Sequence, residues 1–249
     1  MNSIQILKTI LVLATSFVFI PFSNAGLITF EQTANNQQPV DNQTIALTDY
    51  FMAGGVKVRF GFDTDNDDIL DMQAVFEKAG NNDKNTGFWG AWGKDTAAPG
   101  YENQLGDFFI RQSNAYDNFG VFTILYDAAN PVMAASGEIW DIDHSQHQGT
   151  EQFLVQAFNG NTLLESIYSP MGDNMSLDAK PWTFAFNNQP NISKIEVTFV
   201  GTKQSGIGLA FNNFAPTQDL TQIQTVPEPE TILLFLSGLI GIALIRKKQ

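Results

Sequence analysis

The chain has 249 residues, a formal net charge of −13 and no cysteine. An acidic surface repels nucleic-acid phosphate and anionic lipid and suits divalent cations, so the composition argues against nucleic acid as a partner. Without cysteine the protein can form no disulfide and no thiolate metal site, and a cysteine nucleophile is excluded as well.

The first residues have the order of parts of a secretory signal peptide. Lys8 supplies a positive charge, an apolar stretch follows, and Ser23-Asn24-Ala25 provides the small residues of a cleavage site. We predict that residues 1–25 are removed and that the mature chain starts at Gly26. The alternative, a short N-terminal core helix, is disfavoured because the pattern that follows is strand-like.

The body, predicted as one domain over residues 26–217, contains short apolar segments separated by Gly, Asn and Asp. Several of them alternate apolar and polar residues, which is the period of half-buried strands, and Asn159-Gly160 is typical of a hairpin turn. No long run of helical spacing interrupts them. We predict an all-β fold, a β-sandwich of the jelly-roll type. The predicted strands cover residues 27–31, 56–62, 108–112, 121–126, 138–143, 153–158, 162–168, 195–200 and 208–214.

An acidic loop follows the second predicted strand, with the sequence DTDNDDILD over residues 63–71. Carboxylates at alternate positions of a tight loop can converge on one calcium ion, which takes six to eight oxygen ligands. The match to the EF-hand loop is partial, because Asp68 stands where that loop uses glycine and Ala74 where it uses glutamate. The alternative is a solvated acidic turn without an ion. The predicted ligands are Asp63, Asp65, Asp67 and Asp71.

Two tryptophans lie among glycines in the stretch GFWGAWG, residues 87–93. An exposed indole offers a large apolar face and a polar N–H, which suits stacking against a sugar ring. We therefore consider Trp89 and Trp92 candidate contacts for an extracellular polysaccharide. The alternative is that both side chains close one end of the sandwich.

The stretch GEIWDID, residues 137–143, invites an enzymatic interpretation because jelly-roll glucanases carry two carboxylates on one strand. A retaining pair needs its carboxyl groups about 5–5.5 Å apart. Glu138 and Asp141 are three positions apart and would face opposite sides of a regular strand, and Asp143 stands where the pattern has glutamate. We predict no catalytic site here. His144 and His147 follow on a predicted loop, and we interpret them as solvated rather than as zinc ligands.

Both ends of the body resemble the first and last strands of galactose-binding-like and carbohydrate-binding jelly rolls. The resemblance covers LITFE at residues 27–31 and LAFNNF at residues 209–214. It implies a structural calcium between an acidic residue of the first strand and an aspartate of the last. In this chain those positions are Glu31 and Asn212, and the amide oxygen of an asparagine is a weaker ligand.

A polar linker, predicted from residue 218 to residue 225, leads into the C-terminal segment 226–249. This segment contains Pro227-Glu228-Pro229, an apolar run and a basic end, Arg246-Lys247-Lys248. The two prolines keep the chain extended, the apolar run is shorter than the roughly 20 residues that span a bilayer, and the basic end favours the cytoplasmic side.

The signal peptide, the Pro-Glu-Pro element, the apolar run and the basic end together resemble PEP-CTERM proteins of Gram-negative bacteria and cyanobacteria. The resemblance implies that the tail is a sorting signal, held transiently in the inner membrane as a short transmembrane helix. It also implies an exosortase that cuts near Pro227, Glu228 and Pro229 and releases the protein to the cell surface or matrix. The alternative is a plain single-span anchor on a proline-rich stalk.

From these features we predict an exported, non-enzymatic protein, stabilised by calcium, that acts in adhesion, glycan contact or as a structural module. The alternative is an exported jelly-roll enzyme that acts on polysaccharide. The two differ at residues 138–143, because an enzyme requires two carboxylates that converge in an open cleft.

Overall fold

A computed structural model describes residues 26–113, 120–145, 149–172, 177–204, 206–207 and 210–218 of the chain. Several predictions concern residues outside these ranges. They are the signal peptide with Ala25, the C-terminal segment with Pro227, Glu228 and Pro229, and His147. Within the described ranges, no helix has the length and apolar character needed to cross a membrane.

The described residues form fifteen strands and one short helix, α1, Glu102–Leu105. The strands are β1 Phe51–Ala53, β2 Val56–Asp63, β3 Ala74–Lys78, β4 Trp89–Gly90, β5 Gly93–Lys94, β6 Phe108–Gln112, β7 Val121–Asp127, β8 Val132–Trp140, β9 His144–Ser145, β10 Gly149–Thr150, β11 Phe153–Asn159, β12 Thr162–Tyr168, β13 Pro181–Phe186, β14 Lys194–Phe199 and β15 Ala210–Gln218.

Two antiparallel sheets make up the body. One has six strands in the order β1-β2-β7-β14-β11-β12, and the other has five in the order β13-β8-β15-β6-β3. Two small hairpins, β4-β5 and β9-β10, complete the described strands. The two sheets stack around a shared apolar core, so the prediction of an all-β sandwich is confirmed.

Strand β2 shows why the sequence forms this architecture. Val56, Val58 and Phe60 are fully buried, while Lys57 between them is exposed, which is the alternation expected for a strand with one face on the core. The predicted hairpin is also confirmed, since β11 and β12 pair across a turn at Gly160, whose φ of 55° is readily adopted by glycine.

Phenylalanine side chains from both sheets fill the space between the layers. The ring of Phe122 from β7 stacks on Phe211 from β15 with centroids 3.9 Å apart, and Phe60 from β2 lies 4.9 Å from Phe214. Burying each such side chain contributes about 1.5–3 kcal/mol. Because the chain has no disulfide, this aromatic core is a principal source of cohesion between the sheets.

Three of the predicted strands differ most from the structure. The strand predicted over residues 138–143 starts earlier and ends at Trp140, because Asp141 has a φ of 66°, a left-handed conformation that cannot continue a strand. The first predicted strand is reduced to a single bridge between Ile28 and Phe214. The last strand extends to Gln218, one residue beyond the predicted end of the domain.

Candidate functional site

The acidic loop begins at the end of β2, where the chain folds around the carboxylate of Asp63. One oxygen of this buried side chain accepts the backbone N–H groups of Asn66 at 2.6 Å and Asp67 at 3.3 Å. The other oxygen accepts the N–H of Asp68 at 2.9 Å. Asp68 has a φ of 70°, so the sixth loop position adopts the left-handed conformation for which EF-hand loops use glycine.

Three of the four predicted loop ligands converge. One carboxylate oxygen from each of Asp63, Asp65 and Asp71 lies within 4.8 Å of the others. This spacing fits a shared calcium ion, because ligand oxygens on opposite sides of an ion, each about 2.4 Å from it, are about 4.8 Å apart. Asp67 is not part of this group, and one of its carboxylate oxygens accepts the N–H of Ile69.

The charges of the loop repel one another. The pKa of Asp65 is raised, first by the negative charge of Asp67 and further by desolvation and by the charges of Asp71 and Asp63. Asp68 is instead paired with Lys194 of β14. The group of three carboxylates is therefore the part of the loop where a cation would relieve the repulsion.

A glycine supports the acidic loop from the neighbouring strand. Gly120, directly before β7, has a φ of 84°, and a Cβ added there would lie 2.3 Å from the carbonyl oxygen of Asp63. Only glycine combines this backbone conformation with so close an approach. The position of Asp63 thus depends on a residue that is distant in sequence.

Glu31 and Asn212, the candidate ligands at the two ends of the body, line the same surface cavity. Glu31 Oε1 accepts the N–H groups of Asp107 at 2.9 Å and Phe108 at 3.3 Å, and burial is the main cause of its raised pKa. The Asn212 amide donates to the carbonyl of Leu105 at 2.7 Å. The fold brings the two side chains to one cavity, where both also hold the backbone around α1.

The two candidate sugar-contact residues lie on the β4-β5 hairpin and are exposed, Trp89 by 65% and Trp92 by 43%. Phe88, the preceding residue, is the aromatic side chain of this segment that packs inside, against Phe109. The ammonium group of Lys94 lies 5.3 Å from the centroid of the Trp89 ring. The interpretation of both tryptophans as an interior plug is therefore wrong.

Two aspartates fix this hairpin to the body. Asp95 Oδ1 accepts the N–H groups of Gly87 at 2.7 Å and Phe88 at 3.0 Å, and Asp178 accepts the N–H of Ala91 at 3.0 Å. The indoles are thus held on a short, anchored hairpin.

The three acidic residues at 138–143 have three different environments. Glu138 lines a surface groove, where it accepts hydrogen bonds from Gln104 and Asn213. Asp141 is buried, accepts the N–H of Ala179, and has a pKa raised well above its usual value, mainly by burial.

Asp143 instead forms a salt bridge with Lys203, which also contacts Glu151. His144 lies half-buried in β9. The structure therefore distributes these carboxylates among a groove, the interior and an ion pair.

A second acidic group was missed by the sequence analysis. Carboxylate oxygens of Asp41, Glu77 and Asp83 also lie within 4.8 Å of one another. Only the folded chain brings these residues together, because Asp41 is distant in sequence from the other two and the three follow no ligand spacing. The one local signal was Glu77, an acidic residue inside the otherwise apolar start of β3, where it is fully buried.

Comparison with known proteins identifies the C-terminal segment. The PEP-CTERM protein-sorting motif matches residues 225–248. No curated protein matches the chain. The motif implies export, processing by an exosortase and a location at the cell surface or outside the cell.

Proposed function

We propose that this chain, a PEP-CTERM protein exported and sorted by its C-terminal motif, serves outside the cell as a non-catalytic module that calcium stabilises. The observation that carries the proposal is the convergence of Asp63, Asp65 and Asp71 in one loop. Calcium is abundant outside cells, and extracellular modules bind it with dissociation constants of about 10⁻⁴ to 10⁻³ M.

The sorting motif further supports transient anchoring in the inner membrane. Its apolar run is shorter than the roughly 20 residues that span a bilayer core, and the basic end would face the cytoplasm. An exosortase would then cut near Pro227-Glu228-Pro229, where the two prolines restrict φ and lack backbone N–H donors. Release would leave the sandwich free at the surface or in the matrix.

We predict that the mature protein begins at Gly26 and ends near Pro227 to Pro229. Mass spectrometry of the secreted protein from the native host should find both new termini. A host strain without its exosortase serves as the control and should retain the C-terminal peptide. Secreted material that still carries residues 246–249 would contradict this processing and favour a plain membrane anchor.

The distribution of Glu138, Asp141 and Asp143 supports a non-catalytic role. A retaining glycosidase needs two carboxyl groups about 5–5.5 Å apart in an open cleft. Glu138 lies in a groove, whereas Asp141 is bonded to the backbone and Asp143 is paired with Lys203. Asp141 and Asp143 thus hold the chain at the end of β8 in place.

The exposed β4-β5 hairpin favours polysaccharide as the partner. Two exposed indoles on an anchored hairpin present apolar area at low cost in conformational entropy. Lys94 beside Trp89 adds a positive charge on an otherwise acidic protein. We propose that this hairpin contacts extracellular polysaccharide.

Replacing both Trp89 and Trp92 by alanine should weaken binding to matrix polysaccharide, purified from the native host, by about tenfold or more. Burying one large apolar side chain contributes about 1.5–3 kcal/mol, and about 1.4 kcal/mol corresponds to tenfold. The melting temperature should hardly change because both side chains are exposed. Co-sedimentation and thermal melting measure the two effects.

The matched control is Tyr168→Ala, which removes another exposed aromatic side chain from a different part of the surface. Equal binding by the double variant and the wild type would reject the hairpin as the contact. The same incubations are assayed for reducing sugars, and their release by the wild type would contradict the non-catalytic proposal.

A further inference from the structure

The second acidic group lies at the outer edge of β3, the last strand of the five-stranded sheet. The chain before β1 pairs with this edge, since Asn42 donates its N–H to the carbonyl of Phe76 and Phe76 donates to Gln43. This pairing sets Asp41 beside Glu77, while Asp83 reaches the same place from the loop after β3. Three chain segments thus each contribute one carboxylate.

Asp41 is supplied with hydrogen-bond donors at both oxygens. Its Oδ1 accepts the N–H of Lys78 at 3.0 Å. Its Oδ2 accepts the side-chain amides of Asn81 at 2.6 Å and Asn42 at 3.0 Å. This carboxylate is therefore held in a fixed orientation by groups around it.

Glu77 and Asp83 are supplied with donors at one oxygen only. Glu77 Oε2 pairs with the guanidinium of Arg111, and Asp83 Oδ2 accepts the amide of Asn42 at 2.8 Å. The other two oxygens, Glu77 Oε1 and Asp83 Oδ1, are shielded from solvent and have no hydrogen-bond partner. Glu77 itself has no exposed surface.

The two buried oxygens without donors, one on Glu77 and one on Asp83, are available to bind a ligand. Leaving such a group unpaired costs about 1–3 kcal/mol, and more for a charged group. A bound cation satisfies lone pairs that no donor reaches. Native proteins have few unpaired buried polar atoms, and an ion is one of the explanations that such atoms require.

The nearby positive charges do not cancel the carboxylates. Arg111 pairs with Glu77, and Lys94 donates to the backbone carbonyl of Asp83 at 2.5 Å. Burial is the main cause that raises the pKa of Glu77 to about 8, with smaller contributions from the charges of Asp95 and Asp41, although the contact with Arg111 lowers it in part. Of these two cationic groups, only Arg111 forms a salt bridge with a carboxylate of the group.

We propose that Asp41, Glu77 and Asp83 bind a divalent cation of the calcium class, at a site separate from the Asp63 loop. The ion takes one oxygen from each carboxylate, and the spacing within 4.8 Å allows ligand distances of about 2.3–2.6 Å. It ties the segment before β1, strand β3 and the loop that leads to the tryptophan hairpin into one unit.

The test titrates the purified, metal-free full-length protein with calcium by isothermal calorimetry. In the variant Asp65→Asn with Asp71→Asn, which removes two carboxylates of the loop, one calcium site should remain. Adding Asp83→Asn to this variant should weaken the remaining site by at least tenfold. Asp127→Asn, an exposed residue outside both groups, is the matched control and should leave the affinity unchanged.

Asp83 is chosen because asparagine can still accept the hydrogen bond from Asn42, so the fold should persist, which circular dichroism checks. If Asp83→Asn does not fold, Asp41→Asn takes its place.

Loss of all calcium binding in the loop variant would overturn the proposal and would favour a proton shared between Glu77 and Asp83. Unchanged affinity after Asp83→Asn would overturn it as well. Either result leaves the loop site testable in the protein that carries Asp83→Asn alone, so the two sites fail independently.

Discussion

Replacing Asp95 by asparagine should raise the free energy of unfolding by roughly 3 kcal/mol above about pH 7 and leave it nearly unchanged below about pH 4. Asp95 is fully buried, and burial raises its pKa to about 6, although the N–H groups of Phe88 and Gly87 and the charge of Arg111 lower it in part. This energy corresponds to the rise in the pKa of Asp95 from about 4 in the unfolded chain to about 6 in the folded protein.

The sign follows from proton binding. Because the folded-state pKa lies above the unfolded value, the folded protein binds the proton more tightly, and this contribution to stability is full below about pH 4. It is lost as the pH rises through about 6, where Asp95 ionises inside the protein. Asparagine does not ionise and avoids this loss.

Asparagine preserves the local structure in this test. Its Oδ1 can accept the same two N–H groups from Gly87 and Phe88, and asparagine tolerates the φ of 49° found at position 95. Urea unfolding of both proteins at several pH values, with a chelator present, measures the difference. A difference that is independent of pH would show that ionisation of Asp95 is not its cause.

Saturating calcium should stabilise the protein through the Asp63 loop by about 2.7 kcal/mol at a free concentration near 100 times the dissociation constant. For a domain of this size, that corresponds to a rise in melting temperature of roughly 5–10 °C. Magnesium should substitute poorly, because it requires a smaller octahedral site. With a dissociation constant of about 10⁻⁴ to 10⁻³ M, this requires about 10–100 mM calcium. Thermal melts with that concentration of calcium, with the same concentration of magnesium, and with a chelator measure this effect.

The positions of the loop carboxylates decide which variants test the calcium site. Asp65→Asn with Asp71→Asn should remove the response of the loop, whereas Asp67→Asn should retain most of it, because Asp67 lies outside the converging group. Glu31→Gln should abolish the response instead if the ion lies between the first and last strands. A melting temperature that ignores calcium in a verified metal-free sample would leave the loop as a solvated turn.

Much of the fold could be predicted from the sequence, because alternating apolar and polar residues indicate a strand with one buried face. Strand β2 was predicted almost to its ends for this reason. Strand β3 was not predicted, since Ala74 to Glu77 are all buried and their apolar and polar residues do not alternate. Strand β13 was missed because it begins with Pro181, which is tolerated at the first position of this edge strand.

The candidate sites differ in the same way: one could be predicted from local sequence and the other could not. The convergence of Asp63, Asp65 and Asp71 was predictable because they are close together in sequence, whereas the position of Asp67 outside this group required coordinates. The group of Asp41, Glu77 and Asp83 depends on the pairing of a loop segment with the edge of β3, which no spacing reports. Asp141 likewise ends β8 through a left-handed backbone conformation that the residue pattern does not reveal.

The order of the second sheet bears on how the protein leaves the cell. Strand β15, the last in sequence, lies between β8 and β6, so the sheet remains two separate halves until residues 210–218 arrive. A chain that crosses a membrane from its N-terminus therefore cannot complete its sandwich while it is still threaded through the export channel. We infer that the sandwich is completed outside the membrane only after residues 210–218 have crossed it, shortly before the sorting motif at residues 225–248 reaches the membrane.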